Sequence, residues 1–84
     1  MIDEDLIHHV NKSTYRVRVL KSLENDPKMP KKIAADCNIL QNHISNVLTE
    51  LKNLGLIVCI NPEYKKGRIY RLTDDGKEIL DKLV

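Results

Sequence analysis

The apolar positions of the chain repeat at helical spacing for 54 residues, switch to a strand-like pattern, and then return to helical spacing. Ile2, Leu6, Ile7 and Val10 fall on one face of a first helix, with Asp3, Glu4 and Asp5 in its opening turn, where the backbone dipole favours acids. Asn11-Lys12 reads as a break, and Ser13 as the N-cap of a second helix that runs to about Glu24. Its core stripe is Val17, Leu20 and Leu23, and Tyr15 and Val19 form a second apolar pair on a neighbouring flank. Asn25-Asp26-Pro27 ends that helix, because proline disfavours helical geometry in the residue before it. Pro30 suits the first turn of a short third helix through Asp36, with Cys37 pointing inward. Asn38 then turns the chain, since asparagine tolerates a left-handed backbone, and Ile39 re-enters the core.

A fourth helix is predicted from about Gln41 to Leu54, with Leu40, Ile44, Val47, Leu48, Leu51 and Leu54 on its buried face and Gly55 as its terminator. Leu56 to Ile60 is a β-rich run, Asn61 to Gly67 is turn-like, and Arg68 to Leu72 alternates charged with apolar residues. Two strands joined by a basic loop fit this segment. Thr73, followed by Asp74 and Asp75, caps a last helix whose Ile79, Leu80 and Leu83 face inward. The predicted class is α+β, mostly α: four to five helices and a two-stranded β-hairpin, in the order of a winged helix-turn-helix. Residues 1–84 read as a single domain, with 1–12 an N-terminal helical extension.

Size and composition narrow the classes available. An 84-residue chain sits at the low end of independently stable domains, which favours dimerisation. The longest apolar run is far short of the roughly 20 residues of a membrane span. Acids at positions 3–5 stand where a signal peptide needs base, so no targeting peptide and a cytoplasmic protein are expected. Cys37 and Cys59 lie among apolar neighbours and read as reduced, buried small hydrophobes. The core must be aliphatic, because the chain has no Trp or Phe.

Charge is distributed unevenly. Residues 1–26 carry four basic and five acidic side chains, residues 27–72 eight basic and three acidic, and residues 73–84 two basic and four acidic. A cationic middle between acidic ends suggests a face for a polyanion, although solubility alone often scatters charge in this way.

The fourth helix carries the sharper signal. With its apolar stripe turned inward, Asn42, Ser45, Asn46, Thr49 and Asn53 lie on the opposite face, and all are neutral donors and acceptors. A face that only meets water is better served by Glu, Lys, Gln or Arg, which form helices more readily. Base edges in a DNA major groove supply a reason for the poorer helix formers, since Asn pairs with adenine and Ser or Thr reach several bases. Gln41 and His43 flank that face. Lys65, Lys66 and Arg68 surround Gly67 at the hairpin tip beside Tyr64, and Lys31 and Lys32 open the third helix. These cations suit phosphates, though a plain solvated turn contains similar residues. Arg71, in the second strand, suits a surface salt bridge.

The segments STYRVRVLKSL, MPKKIAADCNILQNHISNVLTELKNLGLI and NPEYKKGRIYRLTDDGKEIL resemble the small archaeal and bacterial winged helix-turn-helix transcription regulators, especially the ArsR- and MarR-like group. The resemblance covers residues 13–83, and is most specific at Leu48 to Ile57 and at Tyr70 to Gly76. It implies a homodimer on near-palindromic double-stranded DNA, with the helix at about 41–54 in the major groove and a basic wing at 62–68 on the backbone or minor groove. Asn38 stands where the family usually has glycine. The paired-cysteine metal box of the ArsR-type metal sensors is missing, so no sensory metal is implied.

The expected DNA-binding residues are therefore Lys31, Lys32, Gln41, Asn42, His43, Ser45, Asn46, Thr49, Lys65, Lys66 and Arg68. The expected dimer contacts are Leu6, Ile7, Val10, Tyr15, Val19, Ile79 and Leu83. Metal binding would need His8, His9, His43, Cys37 and Cys59, but adjacent histidines diverge by about 100° on a helix and both cysteines occupy core-type positions. His8 and His9 fit surface or dimer contacts better. No glycine-rich phosphate loop or catalytic triad spacing is present, so neither an enzyme nor a cofactor is expected. A winged helix that contacts protein, as an adaptor in transcription machinery, is the alternative. No effector can be named from the pattern.

Overall fold

In the computed structural model, which describes residues 3–83, the chain forms α1 (Glu4–Asn11), α2 (Thr14–Ser22), α3 (Pro30–Cys37), α4 (Gln41–Asn53), β1 (Ile57–Cys59), β2 (Tyr70–Leu72) and α5 (Asp74–Lys82). Ile2, expected on the apolar stripe of the first helix, lies outside the described residues. Five helices and a two-stranded antiparallel hairpin make the mostly helical α+β class that the spacing predicts.

The helix boundaries follow local chemistry. Asp3 Oδ1 accepts the amide of Leu6 at 2.8 Å, Ser13 Oγ that of Arg16 at 3.3 Å, and Thr73 Oγ1 that of Gly76 at 3.0 Å, so three helices begin on side-chain caps. Pro30 occupies the first turn of α3, where its missing N–H costs nothing. Asn38 takes the left-handed conformation at φ 57°, and Ile39 N–H reaches back to Ala34 O at 3.0 Å. Gly55, at φ +79°, does the same after α4, where Leu56 N–H donates to Leu51 O.

α2 is the central helix, in contact with α1, α3, α4 and α5. That position buries both of its flanks. Val19, Leu20 and Leu23 all enter the core, whereas Val17 is only half-buried. The rest of the core comes from Ile33, Ile44, Leu48, Leu51, Leu56, Ile57, Leu72 and Ile79, with Cys37 among them. Cys59 is also buried and free.

Three features differ from the spacing-based expectation. α2 ends at Ser22, two residues before Glu24, because the chain must bend to pair Lys28 with Tyr70 in an antiparallel bridge (3.0 and 2.9 Å). This bridge lays a third short segment against β2. The hairpin strands are shorter than expected because Asn61 replaces the backbone ladder beyond Ile60. Its Oδ1 accepts Ile69 N–H at 2.7 Å and its Nδ2 donates to Gly67 O at 3.0 Å. Leu40, placed on the buried stripe by its spacing, is 68% exposed; it sits at the N-cap of α4 in extended geometry, so helical periodicity does not govern where it points.

Val10, Val19 and Ile79, expected at a dimer interface, each have no exposed surface. They are enclosed by the protomer's own core and are unavailable to a partner. Apolarity was the correct reading of these positions, but packing between five helices absorbs them internally. Leu6, Ile7 and Leu83 stay partly exposed against the same core.

Candidate nucleic-acid interface

α4 is positioned by its apolar face and by one polar clamp. Ile44, Leu48 and Leu51 are buried, so the helix cannot rotate without exposing them. On one flank, Arg16 of α2 grips Glu50 with two parallel bonds, Nε to Oε1 at 2.8 Å and Nη2 to Oε2 at 2.9 Å. Arg16 Nη1 also donates to the carbonyl of His9 at 2.7 Å, and His9 Nε2 lies 3.0 Å from Glu50 Oε2. One arginine thus ties α1, α2 and α4 together. The Arg16 guanidinium holds the Glu50 carboxyl below the usual carboxylate range, with desolvation acting against it and His9 adding to the lowering. Spacing alone did not reveal this clamp, because its members are 34 and 41 residues apart.

The opposite side of α4 is uncommitted. Gln41, Asn42, His43, Ser45, Asn46, Thr49 and Asn53 are all exposed. Among the described residues, the side chains of Gln41, Asn42, Ser45, Asn46 and Asn53 form no hydrogen bond. Thr49 alone uses its hydroxyl, which donates to Ser45 O at 2.9 Å and leaves its lone pairs free. Asn46, Thr49 and Asn53 line a shallow open depression beside Glu50. On the Glu50 flank, about two turns nearer the start of the helix, His43 meets Tyr15 of α2, ring centroids 6.3 Å apart and tilted by 48°. Tyr15, expected among the dimer contacts, therefore sits against α4.

The cations fall into two groups. Lys31 and Lys32 stand exposed at the start of α3, and Lys31 lines the same cleft as Gln41. Lys32 is partly neutralised by Asp36 at 3.2 Å, which also binds Lys28 at 2.7 Å. These two lysines, Lys28 first, lower the Asp36 carboxyl below its ordinary value. The second group is the wing. Lys65 and Lys66 are exposed and make no ion pair among the described residues. Arg68 braces the loop by donating from Nε to Tyr64 O at 2.6 Å. Gly67, at φ +71°, supplies the left-handed turn between them. Arg71 makes no salt bridge among the described residues, and donates instead to Leu72 O at 3.0 Å.

The cysteines have no place in this surface. Cys37 is buried, and burial pushes its thiol up from the ordinary range, which disfavours the reactive thiolate.

No protein-family model and no curated protein matches the sequence. Solved structures do resemble the fold. NadR in complex with 4-hydroxyphenylacetate superposes with a TM-score of 0.75 at 24% identity, over 90% of this chain and 55% of that one. The MarR family transcriptional regulator SPO1453 from Silicibacter pomeroyi DSS-3 gives 0.72 at 22% identity, over 93% and 58%. The MarR family transcription regulator SP03579 gives 0.69 at 26% identity, over 92% and 57%. The chain spans little more than half the length of the proteins it resembles. Five helices with a short two-stranded antiparallel hairpin agree with this likeness, and the chain has the winged helix fold of the MarR family transcription regulators.

Proposed function

We propose that this chain binds specific double-stranded DNA as a transcription regulator, with α4 in the major groove and the wing at 62–68 on the phosphate backbone or in the adjacent minor groove. The observation that carries this reading is the row of exposed amides and hydroxyls on α4, whose hydrogen-bonding capacity, apart from the Thr49 hydroxyl proton, is unspent among the described residues. An exposed face built from Asn, Ser and Thr gives up helix propensity. A ligand with patterned donors and acceptors accounts for that choice. Lys31, Lys65 and Lys66 then supply phosphate contacts at either end, while Tyr15 supports His43 from the flank.

A homodimer would set two copies of α4 about one helical turn of DNA apart, roughly 34 Å. Leu6, Ile7 and Leu83 are the partly exposed apolar side chains at the chain ends that suit such a contact. Occupancy of the site would block or recruit transcription machinery. The MarR family regulators that share the fold support this reading.

The test is selection from a random-sequence duplex library with the purified protein at two salt concentrations, followed by sequencing. A near-palindromic motif bound with steep salt dependence is the expected result. Lys66→Ala should weaken binding to every duplex and flatten the salt slope by about one unit, whereas Asn46→Ala should change which bases are preferred. Failure to bind any duplex at low salt would sink the proposal and point to a protein partner.

A further inference from the structure

Leu40 is the most exposed large apolar side chain among the described residues, at 68%. It occupies the N-cap of α4, where Ser, Thr, Asp or Asn would accept an amide of the first helical turn. No side-chain cap bond is made there or at the less exposed Met29 before α3, whereas α1, α2 and α5 all begin on one. A leucine at this position thus carries two costs, a missing cap and an apolar surface left in water. The protein's own packing covers only a minor part of that surface.

The surroundings are chemically consistent. Leu40 lines a shallow cleft between α3 and the start of α4 with Lys31, Ala34, Ala35, Asn38, Ile39 and Gln41. The cleft is lined mostly by aliphatic residues, with one lysine and two carboxamide residues, Asn38 and Gln41, among them. It therefore suits a small apolar group that has an anion on one side and a hydrogen-bonding edge on the other. In a DNA major groove this combination is the C5-methyl of a pyrimidine, flanked by its backbone phosphate and by base edges. We propose that Leu40 reads the C5-methyl group of a thymine, with Lys31 on the neighbouring phosphate and Gln41 at the adjoining base edge. The inference rests on the DNA-binding reading above and adds the specificity of one position to it. The same chemistry is carried by 5-methylcytosine, so the experiment must separate the two sources.

The probe is the duplex recovered from the random-sequence selection, with each thymine replaced in turn by uracil, which removes only the methyl. Affinities are measured by fluorescence anisotropy for the unmodified protein and for Leu40→Ala and Leu40→Ser. At one thymine per half-site, uracil should weaken the unmodified protein about fourfold, the size expected for one buried methyl group. The same replacement should leave Leu40→Ala nearly unaffected. Leu40→Ser should also lose this discrimination while its Tm rises, because serine restores the cap; a fall in Tm would mark Leu40 as a structural residue and overturn the proposal. At the sensitive position, 5-methylcytosine paired with guanine should restore part of the affinity lost with cytosine if the methyl alone is read. No restoration assigns the contact to thymine with its own base edge. Uracil effects that are equal in all three proteins, with specific binding intact, overturn the thymine contact and leave the DNA reading standing. Absence of binding to any duplex overturns both.

Discussion

α4 and the wing are the two surfaces proposed to meet DNA, and they are held in place by different physics. α4 is locked by Ile44, Leu48 and Leu51 in the core and by Arg16 on its flank. The wing has no buried residue between Asn61 and Tyr70. Its shape depends on a few local bonds, two from Asn61, one from Arg68, and the left-handed turn at Gly67. The difference teaches that this chain offers one surface of nearly invariant geometry and another that a single substitution can loosen. Such a division suits a ligand whose bases must be matched closely and whose backbone tolerates approximate contact.

The strongest way to break the comparison is at the root that both regions share. Gly76 of α5 packs so closely on the Leu56 backbone that an added Cβ would overlap the Leu56 carbonyl oxygen and lie 3.3 Å from Leu72 Cδ2. Leu56 leads from α4 into β1, and Leu72 leads out of β2, so the contact fixes the two regions to one another. Thr73 reinforces it, since its hydroxyl donates to Gly55 O at 2.6 Å and its amide to Leu56 O at 3.0 Å. Gly76→Ala should destabilise the fold by about 2 kcal/mol despite alanine's better helix propensity, because backbone cannot yield as a side chain would. Thermal unfolding checks this, and an unchanged or raised Tm would mean that the helix shifts without cost.

A smaller perturbation should separate the two regions. Arg16→Ala removes the clamp on Glu50 and leaves the His9 carbonyl without its donor, at a cost of about 1–2 kcal/mol, discounted because Glu50 is 37% exposed. Amide exchange should rise in α1 and α4 and stay constant at Ile69 in the wing. The pH profile supplies a second readout. Glu50 and Asp36 both have folded-state values below their ordinary 4.5 and 3.8. Their contribution is therefore complete above about pH 4.5 and is lost as the pH falls through the lower folded values. In Arg16→Ala the Glu50 part of that acid-side loss should shrink to what His9 sustains, while the Asp36 part persists.

The smallest effect on stability, and the sharpest on the wing, is expected from Asn61→Ala. It should cost about 1 kcal/mol, as one of its bonds is exposed and the one to the Ile69 amide is only part-buried. Exchange at the Ile69 amide should nevertheless accelerate, and DNA affinity should fall without any change in preferred sequence. A changed preference would show that the wing reads bases and that the division between the two surfaces is wrong.

Much of this architecture was legible along the chain. Asn38 and Gly55 marked the left-handed turns, and Ser13 and Thr73 the caps, because such residues act on backbone within three or four positions of themselves. The polar face of α4 was legible for the same reason, since helical periodicity alone divides its residues into two sides. Leu40 was misplaced because it stands one residue outside the helix whose periodicity was applied to it. Val10, Val19 and Ile79 were apolar as read, yet nothing local distinguishes a residue that packs inward from one that meets a partner.

The sequence by itself determined the order of elements, their caps and turns, and the composition of the surface that α4 presents. These depend on chemistry between near neighbours in the chain. Only the tertiary structure decided that Arg16 would find Glu50, that Lys28 would pair with Tyr70, that Tyr15 would sit beside His43, and that Gly76 must lack a side chain against Leu56. Each of these joins residues 20 to 42 positions apart. Such contacts are specified by how five helices fill one core, which no local pattern encodes.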